Sequence, residues 1–150
     1  MLIADHGGCK NSGKSTGAYV VKIGTGAVSW SSKLQSVVTL STTEAEYIAA
    51  VSGGTEILWM QNLLEEIGFG SPGSSTLHVD NRSAIQVAKN PEHHGRMKHL
   101  DLKFYWLRDV VNSGKISVSH LSTIDMPADL LTKPLERVKT ERFRNLLGLC

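Results

Sequence analysis

Ser41-Thr42-Thr43-Glu44-Ala45-Glu46-Tyr47-Ile48-Ala49-Ala50 places an acid where a helix should be apolar. Ser41 followed three residues later by Glu44 reads as a capping box, in which side chain and backbone satisfy each other's orphan hydrogen-bonding groups. This predicts a helix from about Thr42 to Ile67, closed by Gly68. At steps of four and three, one face carries Glu46, Ala50, Gly53, Ile57, Met60, Leu64 and Ile67. After Glu46 that stripe is apolar or glycine, the pattern of a face packed on a core. Glu46 heads it, in what the sequence suggests is the first turn. A carboxylate there either reaches past the core toward something cationic or is an ordinary surface acid favoured by the helix dipole.

Upstream of the helix, Met1–Ala4 reads as a strand ending at Asp5, followed by a loop of Gly and small polar residues from Gly7 to Gly17. Ala18–Ile23 and Ala27–Ser32 read as strands joined by Gly24-Thr25-Gly26, a hairpin signal. Downstream, Thr76–Val79 is a short strand ending in Asp80, and Ser83–Asn90 a helix stopped by Pro91. A helix from about Lys98 to Val111 and a strand over Ile116–Leu121 follow. Pro127 sits at a helix N-terminus, where its missing N–H costs nothing, and Glu136–Leu147 is a final charged helix. Hairpins first and crossovers after imply a mixed sheet, antiparallel and then parallel. In such sheets, sites form beyond the carboxyl ends of the parallel strands, where Asp80 falls.

The 150 residues form one domain, residues 1–150, large enough for its own core. Hydrophobic content of 41% and charged content of 20% are those of an ordinary globular chain. Charge is uneven along it. Residues 1–88 hold 5 Lys/Arg against 7 Asp/Glu, and residues 89–150 hold 11 against 7. A basic second half beside an acidic first half suits a polyanion held near an acid-lined metal site. Cys9 and Cys150 have no metal-type spacing, which points to reduced thiols and an intracellular protein, cytoplasmic or nuclear. Neither a signal peptide nor an apolar run of membrane length is present, so no membrane partner is expected.

Two motifs invite other readings. Gly8-Cys9-Lys10-Asn11-Ser12-Gly13-Lys14-Ser15 matches the phosphate-loop pattern. That loop works only if a helix begins at its Lys-Ser, so that helix-terminal amides face the phosphates. Thr16-Gly17-Ala18-Tyr19-Val20-Val21-Lys22-Ile23 reads instead as a strand, so no nucleoside triphosphate is expected. His93, His94 and His99 lie close together but lack a Cys or carboxylate at zinc-ligand spacing. On the helix near residue 100, Lys98, Lys103 and Arg108 either line a groove for phosphates or form a solvated face.

Three carboxylates fall at related places: Glu46 on the long helix, Asp80 at a strand end and Asp129 just after Pro127. Such a cluster is what paired magnesium ions need to direct water onto a phosphodiester. Each acid alone also has a plain structural reading, as a turn residue or a dipole-favoured first-turn acid.

Taken together, Ser29-Trp30-Ser31-Ser32-Lys33-Leu34-Gln35, Leu40 through Ala50, His78-Val79-Asp80-Asn81-Arg82-Ser83-Ala84-Ile85, Arg96-Met97-Lys98-His99-Leu100-Asp101 and Pro127-Ala128-Asp129-Leu130-Leu131-Thr132-Lys133 resemble the ribonuclease H domain of copia-type retrotransposon polyproteins. The segments occur in that family's order over nearly the whole chain. The resemblance implies an α/β, ribonuclease H-like three-layer fold: a five-stranded mixed sheet, three antiparallel strands then two parallel, with helices on both faces. It implies hydrolysis of the RNA strand of RNA–DNA hybrids with two Mg2+ ions, in a domain normally fused to a reverse transcriptase. Carried over by motif position, Glu46, Asp80 and Asp129 are catalytic metal ligands, and Asn81, Lys98, His99 and Lys133 contact nucleic acid.

One departure stands out. The family opens with a strand bearing Asp-x-Asp, and counting back from Lys14-Ser15-Thr16 puts the first of these acids on Ile3 and the second on Asp5. Residues 3 and 5 of a strand share a face, which makes Asp5 a candidate ligand. It lies about 6.6 Å further along, however, against roughly 4 Å between paired metals. The first strand also begins abruptly, as if shortened, with no polymerase domain before it. The resulting expectation is a ribonuclease H domain impaired by Ile3. The alternative is an inactive remnant that still binds nucleic acid.

Overall fold

The computed structural model describes residues 1–70, 73–89 and 101–149. Within them the chain forms β1 (Leu2–Asp5), β2 (Thr16–Ile23), β3 (Gly26–Leu34), α1 (Thr42–Glu66), β4 (Ser75–Val79), α2 (Arg82–Lys89), α3 (Asp101–Asn112), β5 (Ile116–His120) and α4 (Arg137–Leu146). Short 3-10 helices, Thr123–Asp125 and Pro127–Leu131, link β5 to α4.

The five strands make one sheet in the order β3-β2-β1-β4-β5. β1 pairs antiparallel with β2, and β2 antiparallel with β3. β4 joins β1 in parallel, and β5 joins β4 in parallel. This is the mixed sheet expected from hairpins first and crossovers after. Gly24, at φ 60°, takes the left-handed conformation that the tight β2–β3 turn requires.

Alternation along β1 divides the interior into two layers. Leu2 joins a core with Tyr47, Ile48 and Ile57 of α1, Leu77 and Val79 of β4, Leu107 of α3 and Val118 of β5. Its neighbour Ile3 joins a separate core with Ala18 and Val20 of β2, Met126, Ala128 and Leu147. Helices thus cover both faces, as a ribonuclease H-like fold requires. No described helix is long and apolar enough to cross a membrane.

Ser41 caps the helix as expected, and Glu44 reaches back to the residue before the cap. Glu44 N donates to Ser41 Oγ at 3.1 Å, and Glu44 Oε2 accepts the Leu40 amide at 2.7 Å. The acid of the first turn is therefore Glu44, and Glu46 lies one step further in. The apolar stripe departs from expectation at its far end. Glu46, Ala50, Gly53 and Ile57 are buried, Met60 and Leu64 are half-buried, and Ile67 is exposed. At 25 residues the helix is about 37 Å long, and β1 and β4 beneath it have only four and five residues. Its last turns outrun the sheet.

Around Asp129 the sequence suggested a helix, but the chain forms a single 3-10 turn with Pro127 at its start. Arg108 is a second correction. It is buried and donates weakly to Val87 O at 3.5 Å, so it does not belong to a solvated face. Lys103 on the same helix is exposed.

Candidate active site

The site is assembled by three connections that end at one edge of the sheet. β4 ends at Val79, paired with Leu2 of β1, so Asp80 leaves the sheet beside the strand carrying Ile3 and Ala4. The start of α1 crosses the same strand, and the Ala4 amide donates to Glu46 Oε1. From the opposite face, the turn Pro127–Leu131 brings in Asp129 between Ala128, a member of Ile3's core, and Leu130, which packs against it.

Glu46 is 4% exposed, and its second oxygen, Oε2, is buried without a hydrogen-bond partner. Burial, and then the charge of Asp80, push its pKa up to about 8. The Ala4 hydrogen bond opposes that rise, Asp129 adds to it and Lys133 subtracts from it. Asp80 is half-buried. Desolvation raises its pKa, Thr123 Oγ1 counters this by donating to Oδ2 at 3.2 Å, and the charge of Asp129 raises it again. The charges of Asp80 and Asp129 thus bear on Glu46, and that of Asp129 bears on Asp80. Like charges gathered with little water favour the protonated forms.

Asp129 is differently placed. Its side chain is fully buried, with Lys133 Nζ 3.0 Å from Oδ1 and Lys139 Nζ 3.2 Å from Oδ2. The sequence assigned Lys133 to nucleic acid; here its ammonium turns inward onto an acid, on a side chain still 40% exposed. The i, i+4 spacing of Asp129 and Lys133 signals such a pair. Nothing in the sequence signalled Lys139, which arrives from the next helix. Thr123 and His120 were also missed. Thr123 holds the carboxylate of Asp80, and the His120 ring hydrogen-bonds with the Asp80 carbonyl at 3.1 Å.

Asp5 and Asn81 have other contacts. Asp5 turns back over the Gly7-Gly8 bend, so that a Cβ added at Gly8 would fall 2.0 Å from Asp5 Oδ2. It is not among the charges that shift Glu46 or Asp80. Asn81 Oδ1 accepts from the Ser83 and Ala84 amides at 2.9 and 3.1 Å, which makes it the N-cap of α2. Lys98 and His99, with His93 and His94, lie outside the described residues. After the phosphate-loop pattern the chain forms a strand, with Thr16 paired to Leu34. Ser15 is buried, its hydroxyl accepting from Gly7 N and hydrogen-bonded to Thr39 Oγ1.

These side chains do not fit a two-magnesium centre. Position 3 offers a buried isoleucine, and both oxygens of Asp129 face ammonium groups. No group of three His, Cys, Asp or Glu side chains among the described residues is arranged to hold a metal ion. Two buried oxygens of the site lack a hydrogen bond: Glu46 Oε2, and Asp129 Oδ1, which faces Lys133 as an ion pair alone.

An α/β protein of ribonuclease H-like architecture, with acids collected at the end of its central strands, is the class that fold and site define. Its homologues are retrotransposon Pol polyproteins. The chain is 41% identical over 146 residues to the "Retrovirus-related Pol polyprotein from transposon TNT 1-94" of Nicotiana tabacum, a match covering 97% of this chain and 11% of that protein. It is 40% and 39% identical over 146 residues to the corresponding polyproteins from transposons RE2 and RE1 of Arabidopsis thaliana, again over 97% of this chain and 10% of each relative. The chain therefore spans about a tenth of the length of these relatives. No family model matches it.

Proposed function

We propose that this chain is the ribonuclease H domain of a copia-type retrotransposon polyprotein. Its substrate is the RNA strand of an RNA–DNA hybrid, and its hydrolytic step is suppressed by the loss of an acid at position 3. The observation that carries this reading is the meeting of Glu46, Asp80 and Asp129 at the end of β1 and β4, with Ile3 on the same strand. The Pol homologues support it, because a domain of this architecture within a reverse-transcribing polyprotein has hybrid as its natural partner. In this setting the domain works inside the cell, fused to a reverse transcriptase.

Magnesium is the cofactor this lineage uses, and this chain has given up part of the means to hold it. An isoleucine supplies no oxygen ligand, and its branched apolar side chain excludes water where a ligand and its hydration belong. Losing one group that stabilises developing charge costs about 3–4 kcal/mol in a catalytic step, a few hundredfold in rate. Binding survives such a loss better than chemistry does, since phosphate contacts depend on the basic half of the chain.

Fluorescence anisotropy with a labelled RNA–DNA hybrid and a matched DNA duplex tests the reading. The expected result is weak, salt-sensitive binding that favours the hybrid, with little cleavage of the RNA strand in magnesium. Equal affinity for the two, or none for either, contradicts it.

A further inference from the structure

Away from the acids, the sheet is split between β2 and β4. Leu2 of β1 pairs with Tyr19 of β2 and Val79 of β4. Met1 adds one more link, its N donating to Val20 O at 2.9 Å and its O accepting from Val20 N at 2.8 Å. Past that point β2 runs on through Val21, Lys22 and Ile23 with only β3 beside it among the described residues. On the other side β4 already starts at Ser75, and Ser75–His78 have only β5 beside them. Both edges line one open cavity of about 720 Å3. Alternation turns the backbone N–H and C=O of Lys22, like those of Val20, toward that cavity. Strand edges left facing a gap are templates for another strand.

We infer that this cavity seats an extended stretch of about three residues that continues β1 on its amino side, antiparallel to β2 and parallel to β4. The occupant is polypeptide joined to Met1 in a longer Pol chain, such as the relatives of which this chain spans about a tenth. Met1 N already makes the bond of an interior strand amide, so a chain runs on through it in register, whereas a separate peptide would have to end there. Alternation sets the chemistry of the occupant. Leu2 faces α1, so the first and third residues before Met1 face it too. They meet Ile57, Met60 and Leu64, on the part of α1 that outruns the sheet, and are apolar. The second residue points to the opposite face, toward Lys22, Thr76 and His78. That face is polar: Thr76 and His78 hydrogen-bond with Ser117 and Ser119 at 3.0 and 2.8 Å, and the Lys22 ammonium donates to Leu146 O. No carboxylate lines the cavity among the described residues, so a polar or acidic side chain suits this position. The inference rests on the sheet alone and not on the ribonuclease H reading.

The test joins short extensions to Met1 of the whole chain: Gly-Val-Thr-Val, the inverted Gly-Thr-Val-Thr, and Gly-Ser-Gly-Ser. Relative to the Gly-Ser chain, Gly-Val-Thr-Val should raise the melting temperature by about 2–4 °C or more. It should also slow hydrogen exchange at the Lys22 amide by roughly tenfold. The inverted extension should do neither, because it turns its apolar residues onto the polar face. Equal melting temperatures and exchange rates for the three chains would overturn the inference, as would a larger effect from the inverted one. Two further outcomes would also overturn it by giving the cavity to another occupant. One is protection of Lys22 by free acetyl-Val-Thr-Val-amide but not by the joined extension. The other is a dimer of the unmodified chain, seen by sedimentation, that the extension dissociates.

Discussion

Glu46 and Asp129 are carboxylates at one end of one sheet, 4% and 0% exposed, and the fold treats them oppositely. Asp129 has an ammonium on each oxygen. Glu46 has one backbone amide, one orphaned oxygen and Asp80 for company. Depth is nearly the same, so depth does not decide what each acid can do; the compensating charge does. Asp129 is held by a hydrogen bond from Lys139 to one oxygen and an ion pair with Lys133 at the other.

The largest effect expected from this contrast is on pH dependence. The pKa of Glu46, about 8, stands above its ordinary value of 4.5. Between those values the folded protein keeps a proton that the unfolded chain releases. Stability therefore falls as pH rises through this window and levels off above it. Glu46→Gln keeps the oxygen that accepts the Ala4 amide and removes the titration. We expect urea unfolding at pH 8.5 to find the variant more stable by roughly 2–4 kcal/mol, with no difference near pH 4. Equal pH profiles for variant and parent would erase the contrast.

A smaller effect is expected at Asp129. Lys139→Ala should cost about 1–2 kcal/mol at neutral pH, less than a wholly buried pair because the lysine side chain is 33% exposed. Adding Asp129→Asn in that background should recover part of the loss, since it removes the charge left under-compensated. Thermal unfolding of the parent, the single variant and the double variant measures both steps. A neutral Lys139→Ala would mark the contact as an ordinary surface pair.

The smallest effect should come from Thr123→Val, which removes the hydroxyl donor to Asp80 at a cost of about 1 kcal/mol. Because that hydrogen bond favours the ionised carboxylate, the pKa of Asp80 should rise in the variant. Carboxyl-carbon NMR titration reads it directly. No change would mean that Thr123 does not hold the acid.

The parts of this fold written in local chemistry could be read from the chain. Ser41 and Glu44 mark the start of α1, Gly24 marks the hairpin, and alternation in β1 separates Leu2 from Ile3 into different cores. Asp80 and Asp129 were legible because they stand at element ends, where a sequence carries its clearest punctuation. Other features depend on lengths and on tertiary meetings. The exposure of Ile67 follows from a helix longer than the strands beneath it, and the burial of Arg108 from packing of α3 on α2. Lys139 reaches Asp129 from ten residues away across a turn, a distance with no periodic signature. Alternation assigns Asp5 to the face of β1 that carries Ile3, but it says nothing of a strand that ends there, with the Asp5 carboxylate against Gly8.

Ile3, where the resemblance places an acid, is proposed to suppress hydrolysis at the place where Glu46, Asp80 and Asp129 meet. The direct measurement is cleavage of an end-labelled RNA–DNA hybrid in magnesium by the unmodified chain, by Ile3→Asp, and by Ile3→Asp with Asp80→Asn. Slow or no cleavage is expected from the first and a rise of roughly a hundredfold or more from the second. The third should return to the starting level. Robust cleavage by the unmodified chain that disappears in Asp5→Asn would contradict it, by showing that Asp5 holds the position assigned to the missing acid.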